Sequence, residues 1–249
     1  MRYGAACVEW DKLMNECREN TVYRATKVDV RIVDGPLDYA VQHREAIAEN
    51  WRQDIQKHPS LFNGELYLAP EARFENGVFE AGFIRDSYAT LMYWRKDPAP
   101  VRPWHIFGIG VIVSSDNVLI AARMAGSTAA ASRIYFPAGS IDDHDVNEGR
   151  VDYDYNMQRE VKEETGLDLR DAHAEKGYAL VTGNRSVALF KRHYFNQTGA
   201  ELIAQIRQVL SMQDEPELDD VIAISAAGMM GDATPTYVRA FADWHFGHK

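Results

Sequence analysis

Three glutamates, Glu160, Glu163 and Glu164, crowd the segment Met157-Gln158-Arg159-Glu160-Val161-Lys162-Glu163-Glu164-Thr165-Gly166-Leu167. Gly166 reads as the left-handed cap that ends a helix, because glycine takes a positive φ without a Cβ penalty. The glutamates then occupy the last turn and a half, where an anion facing the negative end of the helix dipole costs about 0.3–1 kcal/mol. Glu160 and Glu164 are also like charges at i,i+4, unfavourable by roughly 0.2–0.5 kcal/mol. Two local rules broken together point to function rather than stability. At about 100° per residue the three carboxylates share an arc of roughly 100°, and Met157 and Val161 beside it would fasten the helix to a sheet. Convergent carboxylate oxygens suit a hard cation, Mg²⁺ or Mn²⁺. The plain alternative is a solvated acidic face balanced by Arg159 and Lys162.

The wider pattern favours the first reading. Arg159 to Leu167 resembles the second half of the Nudix box, R-E-U-x-E-E-x-G-U, at every specified position, and Tyr135-Phe136-Pro137-Ala138-Gly139 resembles the strand and glycine that open the box. The resemblance covers roughly residues 104–249. Its first half departs from the pattern, because the interval from Gly139 to Arg159 is about six residues too long. Counting forward from Gly139 puts Asp145 at the place of the box's upstream glutamate; counting back from Arg159 lands on Val151, which cannot serve. Glu148, Asp152 and Asp154 are the other candidates, with Glu148 favoured for its side-chain length, and Asp152 or Asp154 equally suited to cap the helix.

The resemblance implies hydrolysis of a diphosphate linkage in a nucleoside diphosphate joined to another group. Bound Mg²⁺ or Mn²⁺ would neutralise the diphosphate and acidify the attacking water. Carried over by position, Glu160 and Glu164 are metal ligands, Glu163 is a further ligand or the base, and Arg159 orients a helix glutamate by an ion pair. The family often adds a carboxylate from a loop before a late strand. Asp214-Glu215-Pro216-Glu217-Leu218-Asp219-Asp220 occupies such a place, so Glu215 or Glu217 is expected near the metal, Glu217 in a catalytic role. The alternative to an enzyme is a Nudix-fold module that binds or senses a nucleotide without cleaving it.

The elements that must position these residues follow from periodicity and punctuation. Ile109 to Val113 and Val118 to Arg123 flank the turn Ser114-Ser115-Asp116-Asn117. Arg133 to Pro137 reads as a short strand, followed after Gly139 by the glutamate helix. Tyr178 to Thr182 and Ser186 to Tyr194 are strands around Gly183-Asn184; Leu202 to Met212 is helical, Asp220 to Ser225 a strand and Thr236 to His245 a closing helix. Upstream, Val28 to Val33 is a half-buried strand, and Pro36 opens a helical stretch to His58. Asn76-Gly77 joins two strands, since that pair suits a two-residue hairpin, and Ser87 can cap a helix through Trp94. Three prolines in Asp97-Pro98-Ala99-Pro100-Val101-Arg102-Pro103 mark a connector. The expected architecture is α/β (α+β): a Nudix-type α/β/α sandwich with a mixed sheet over 104–249, preceded by a smaller mixed α/β region over 1–100. That first region is expected to serve substrate recognition or dimerisation, which leaves a homodimer open.

Within it, His58-Pro59-Ser60-Leu61-Phe62-Asn63-Gly64-Glu65, with Trp51 upstream, resembles a segment before the hydrolase domain in some nucleotide-sugar members of the family, which implies a UDP-sugar. Tyr88, Tyr93, Trp94 and Trp104 are candidates to stack a base, and Arg185 on a turn to meet a phosphate. The formal net charge of −10 argues against a nucleic-acid partner. No apolar run suits a signal peptide or a membrane span. Two cysteines, Cys7 and Cys17, make no disulfide framework, so a reduced, cytoplasmic setting is expected. No histidine stands in HExxH spacing.

Overall fold

A computed structural model describes residue 14 and residues 16–59, 61–99, 101–125, 133–214 and 216–247. Cys7, Ser60, Pro100 and Glu215 lie outside them. The fold is mixed α and β, and the chain divides into two compact units that are discontinuous in sequence. Unit 1 takes residues up to Cys17, Val28–Ile106 and Ser140–Asp152; unit 2 takes Arg18–Lys27, Phe107–Gly139 and Tyr153–Lys249. The expected division, 1–100 and 104–249, differs from this in three stretches, one of them residues 104–106, which lie in unit 1. Residues 18–27 lie in unit 2, where strand β1 (Val22–Ala25) pairs with β11 (Tyr178–Gly183), and residues 140–152 lie in unit 1.

In unit 1, strands β2 (Lys27–Ile32), β3 (Glu65–Glu75), β4 (Val78–Ser87), β8 (Val146–Asn147) and β9 (Arg150–Val151) form one sheet in the order β3-β4-β2-β9-β8. Asn76 and Gly77, with φ of 51° and 78°, make the β3–β4 turn as their types require. The helical stretch after Pro36 is two helices, α1 (Asp38–Gln42) and α2 (Arg44–Lys57), broken at His43. Ser87 occupies the N-cap position of helix α3 (Tyr88–Trp94) as expected, but its side chain makes no cap bond, because Asn63 accepts the Ala89 amide instead. Leu37, Tyr39, Leu66, Leu68, Ile84, Leu91 and Trp94 form the core. The proline-rich segment packs on it: Arg102 lies over the Trp94 ring at 4.5 Å, the Trp94 indole N–H donates to Pro103 O, and Trp104 bridges to Ala69.

The residues added to the box form the β8–β9 hairpin. Its turn uses Glu148 and Gly149 at φ of 49° and 73°, and Arg150 pairs with Arg31 of β2. The Ile32 amide donates to Gly149 O, Arg150 donates to Asp29, and Arg85 and Tyr67 donate to Asp143. The single long helix start read from the sequence after Gly139 is therefore replaced by a strand pair, and the glutamate helix begins only at Tyr153.

In unit 2, β5 (His105–Val113), β6 (Leu119–Met124), β7 (Ile134–Tyr135), β10 (His173–Ala174), β12 (Ser186–Tyr194) and β13 (Leu218–Ile224) join β1 and β11 in a sheet whose main order is β1-β11-β12-β5-β6-β13. Helix α4 (Tyr153–Thr165) and α5 (Gly199–Leu210) pack together, and α6 (Thr236–Gly247) lies against the core that contains Phe136, Phe190 and Phe241. Gly108 and Gly110 let α4 approach β5: a Cβ on Gly108 would stand 3.0 Å from Met157, and one on Gly110 would stand 2.8 Å from Val161. Phe190 and Phe241 stack at 4.2 Å. Thr198 and Glu201 form a reciprocal capping box at the start of α5.

Asp29, buried on β2, carries a pH signature. The Arg31 hydrogen bond, reinforced by Arg150, holds its carboxyl down at about 2, against the burial that opposes ionisation. A depressed folded pKa gives stability that is present above the unfolded value near 4 and is lost as pH falls toward 2. Asp29→Asn should therefore cost on the order of 1 kcal/mol at neutral pH, after screening at the exposed arginines. In urea unfolding the gap to wild type should close between about pH 4 and 2; a gap unchanged at pH 2 would assign the loss to packing.

Candidate active site

Helix α4 presents its acids at the end that Gly166 closes. Gly166 has φ of 74°, its amide donates to Lys162 O, and a Cβ there would lie 2.7 Å from Val209 of α5. Both the cap conformation and the close approach of α5 demand glycine. The other end of α4 is pinned: Lys191 of β12 donates to both Asp154 oxygens at 2.8 and 2.7 Å, and the Tyr178 hydroxyl donates to the same carboxylate. Between these anchors Met157 and Val161 are buried against the sheet, as their spacing predicts.

Glu164 is the buried member of the acid set, 8% exposed. Burial, then the charges of Glu160, Glu217 and Glu163, push its pKa well above the ordinary carboxylate value, while the Ala138 amide hydrogen bond opposes the rise. Glu217, just before β13, thus lies within electrostatic reach of Glu164, although its own side chain is on the surface. Glu160 packs onto Gly139, so closely that a Cβ on Gly139 would fall on the Glu160 carboxylate. The box's opening glycine therefore has a local reason: it makes room for the first glutamate of the helix. Arg159, mostly buried, donates to Glu160 at 2.8 Å and to Glu163 at 3.2 Å. Glu163 itself is 61% exposed at the side chain.

Unit 2 therefore brings Glu160, Glu163, Glu164, Arg159 and Glu217 into one neighbourhood. Among the described residues no three His, Cys, Asp or Glu side chains converge closely enough to enclose a metal ion. Arg159 draws Glu160 and Glu163 toward itself while Glu164 turns to the Ala138 amide. The donor chemistry nonetheless fits a hard divalent cation, because a buried carboxylate ringed by three more is a concentration of negative charge that such an ion neutralises.

The candidates for the upstream acid are dispersed. Asp154 is taken by Lys191 and Tyr178. Asp145 is fully buried in unit 1 and accepts the Asp142 amide; Glu148 is at the hairpin turn; Asp152 immediately precedes α4 and its amide donates to Asp145 O. Trp94 and Trp104 are core residues of unit 1, and Tyr93 packs with Tyr39 and His43, so these are not open stacking surfaces. Arg185 sits at the β11–β12 turn with φ of 61°. In the His58–Glu65 segment, Pro59 follows the end of α2 and Asn63 accepts the Ala89 amide at the start of α3. Sequence reasoning missed Lys191, whose signal was a cation directly after the apolar run Val187–Phe190 of its strand.

No family model matches the chain, and no curated protein matches it. Among solved structures, a MutT protein from Methanosarcina mazei Go1 is similar at 14% identity and a TM-score of 0.39, over 59% of this chain and 96% of that one. A Nudix hydrolase from Nitrosomonas europaea is similar at 16% identity and a TM-score of 0.37, over 59% of this chain and 91% of that one. The Nudix domain of Shewanella oneidensis NrtR, solved with ADP ribose, is similar at 12% and 0.32, over 52% and 77%. The roles of individual residues rest on the chain's own sequence and geometry.

The raised pKa of Glu164 means that its charge opposes folding at neutral pH. In metal-free buffer Glu164→Gln, which keeps an acceptor for the Ala138 amide, should raise stability by on the order of 1–2 kcal/mol. Thermal unfolding with a chelator present reads this directly; a lower melting temperature in the variant contradicts the charge argument.

Proposed function

We propose that this chain is a Nudix-type hydrolase that cleaves a diphosphate linkage in a nucleoside diphosphate joined to another group. The observation that carries the proposal is the buried Glu164 surrounded by Glu160, Glu163 and Glu217, at the end of a helix bearing the box pattern. Glu160 and Glu164 would hold Mg²⁺ or Mn²⁺, with Glu163 and Glu217 at the margin. When bound, the ion supplies neutralisation of the diphosphate charge and a more acidic water.

The chain's own residues do the rest. Arg159 restrains Glu160 and Glu163 by its two hydrogen bonds, limiting the rotamers they must give up. Glu163, reaching solvent through its exposed side chain, is assigned as the base that accepts the proton of the attacking water at a carboxylate oxygen. Glu217 is assigned the supporting catalytic role. The Ala138 amide keeps one face of the Glu164 carboxylate fixed. A nucleotide-sensing module without hydrolysis is the second reading, favoured by one observation: the interval that carries the box's upstream acid is built into unit 1 as a hairpin.

Hydrolysis of UDP-glucose, ADP-ribose, NADH and a dinucleoside polyphosphate, with product analysis and with or without Mg²⁺, separates the two. Mg²⁺-dependent release of a nucleoside monophosphate is expected, and Glu164→Gln should lower turnover at least about 10²-fold while staying folded. No cleavage in the whole panel would favour the sensor, and near-normal turnover of the folded variant would remove Glu164 from the mechanism.

A further inference from the structure

Two segments supply the acid set, the last turns of α4 and the chain just before β13, and α5 holds on to both. Toward α4, Val209 stands against Gly166, and the Gln213 side-chain amide, just past the end of α5, donates to Glu163 O at 3.3 Å. That carbonyl is among the last of α4, which the helix itself cannot satisfy. Toward β13, Arg207 grips the strand near its start. Its guanidinium donates to the two Asp220 oxygens at 2.8 and 3.1 Å and to Val221 O at 3.4 Å. The Val221 amide in turn donates to Asp220 at 2.8 Å.

The strand held in this way is irregular where it matters. Leu218 pairs with Met124 of β6 and Asp220 with Arg123, so Asp219 is one residue more than β6 can match. A bulge of this kind bends its strand and re-aims the side chains beside it. Glu217 lies directly before it, with its carbonyl fixed by the Ala125 amide. On the other side of the bulge the first restraint from α5 is Arg207. Both partners of the Arg207–Asp220 pair reach solvent, at 56% and 36% side-chain exposure, and an exposed pair contributes little to stability. Two donors on one carboxylate and a third on backbone nevertheless fix distance and direction together.

We propose that Arg207 is a positioning residue for the acid set, whose clasp on Asp220 and Val221 sets the bend of β13 that directs Glu217 toward the glutamates of α4. Helix α5 then acts as a bracket: Val209 and Gln213 locate it on one acid-bearing segment, and Arg207 locates the other segment on it. The purpose of the carboxylates rests on the metal-dependent reading above. A plainer role for the clasp is to satisfy the outward backbone groups of Val221 and so guard a sheet edge against pairing.

Calorimetric titration of the full chain with Mn²⁺ separates these roles, using Arg207→Ala, Asp220→Asn, Glu217→Gln and the double variant of Arg207→Ala with Glu217→Gln. Arg207→Ala and Asp220→Asn should each weaken Mn²⁺ by about tenfold, the low end of what residues behind a metal ligand contribute. In the Glu217→Gln background Arg207→Ala should shift the affinity less than about twofold, because its effect runs through Glu217. Asp220→Asn keeps an acceptor for the Val221 amide, so it carries the test if Arg207→Ala fails to fold. Equal losses in both backgrounds make the clasp a general support of the fold and overturn the proposal. Unchanged Mn²⁺ affinity, with or without self-association of the variants in sedimentation, leaves only the edge guard and also overturns it, as does a wild type that binds no Mn²⁺. Hydrolysis measured on the same preparations keeps the two ideas apart. Mn²⁺ binding coupled in this way without any hydrolysis removes the enzyme and keeps the bracket; hydrolysis with Mn²⁺ affinity indifferent to Arg207 does the reverse.

Discussion

The organisation of unit 2 depends on keeping one carboxylate, Glu164, out of water among three others. Burial and like charge both act against its ionised form, and the Ala138 amide is the hydrogen bond that opposes them. Such an arrangement is unfavourable for folding unless the surrounding structure holds it rigidly. The rigidity comes from both ends of α4: Lys191 and Tyr178 grip Asp154 at its start, and Gly166 seats its end against Val209. A cation under the positive end of the helix dipole would repel it; Lys191 is tolerable there because Asp154 stands between.

Close approach is the second constraint, and glycine meets it at each contact. Gly108 and Gly110 admit Met157 and Val161, Gly139 admits the Glu160 carboxylate, and Gly166 admits Val209. Each glycine lets backbone take the place that a side chain would fill, so α4 sits against β5, the box's opening turn and α5 at once. A side chain at Gly139 would displace Glu160 from the acid set, whereas one at Gly110 would lift the whole helix. The first is a local fault in chemistry and the second a fault in packing.

Much of this was legible along the chain because its causes are local. The helix carrying Glu160, Glu163 and Glu164, its stop at Gly166, the Asn76-Gly77 hairpin and the elements around residues 178–194 follow from periodicity and turn chemistry within a few residues. What stayed hidden is non-local. Residues 146–151 show too short a pattern to announce a hairpin, and their partner β2 lies more than a hundred residues upstream. The pairing of β1 with β11 is equally distant, so a boundary drawn at the prolines does not separate residues 18–27 from the first hundred, although they lie in unit 2. Ser87 stands at the N-cap position but makes no cap bond with its side chain, because Asn63 takes the Ala89 amide that the hydroxyl would accept.

The departure from the box pattern has a physical meaning once the hairpin is seen. A strand pair needs its edge satisfied, and β9 satisfies it on β2 through the Arg31–Arg150 register and the Asp29 ion pair. The residues that lengthen the interval are therefore committed to the sheet of unit 1, and their acids are committed with them: Asp143 to Arg85 and Tyr67, Asp145 to the Asp142 amide. Acids spent on structure in this way are not loose donors awaiting a ligand. The charge that could serve chemistry is concentrated in the four glutamates of unit 2, where, alone among the described residues, a buried carboxylate with an elevated pKa stands in place of a stabilising pair.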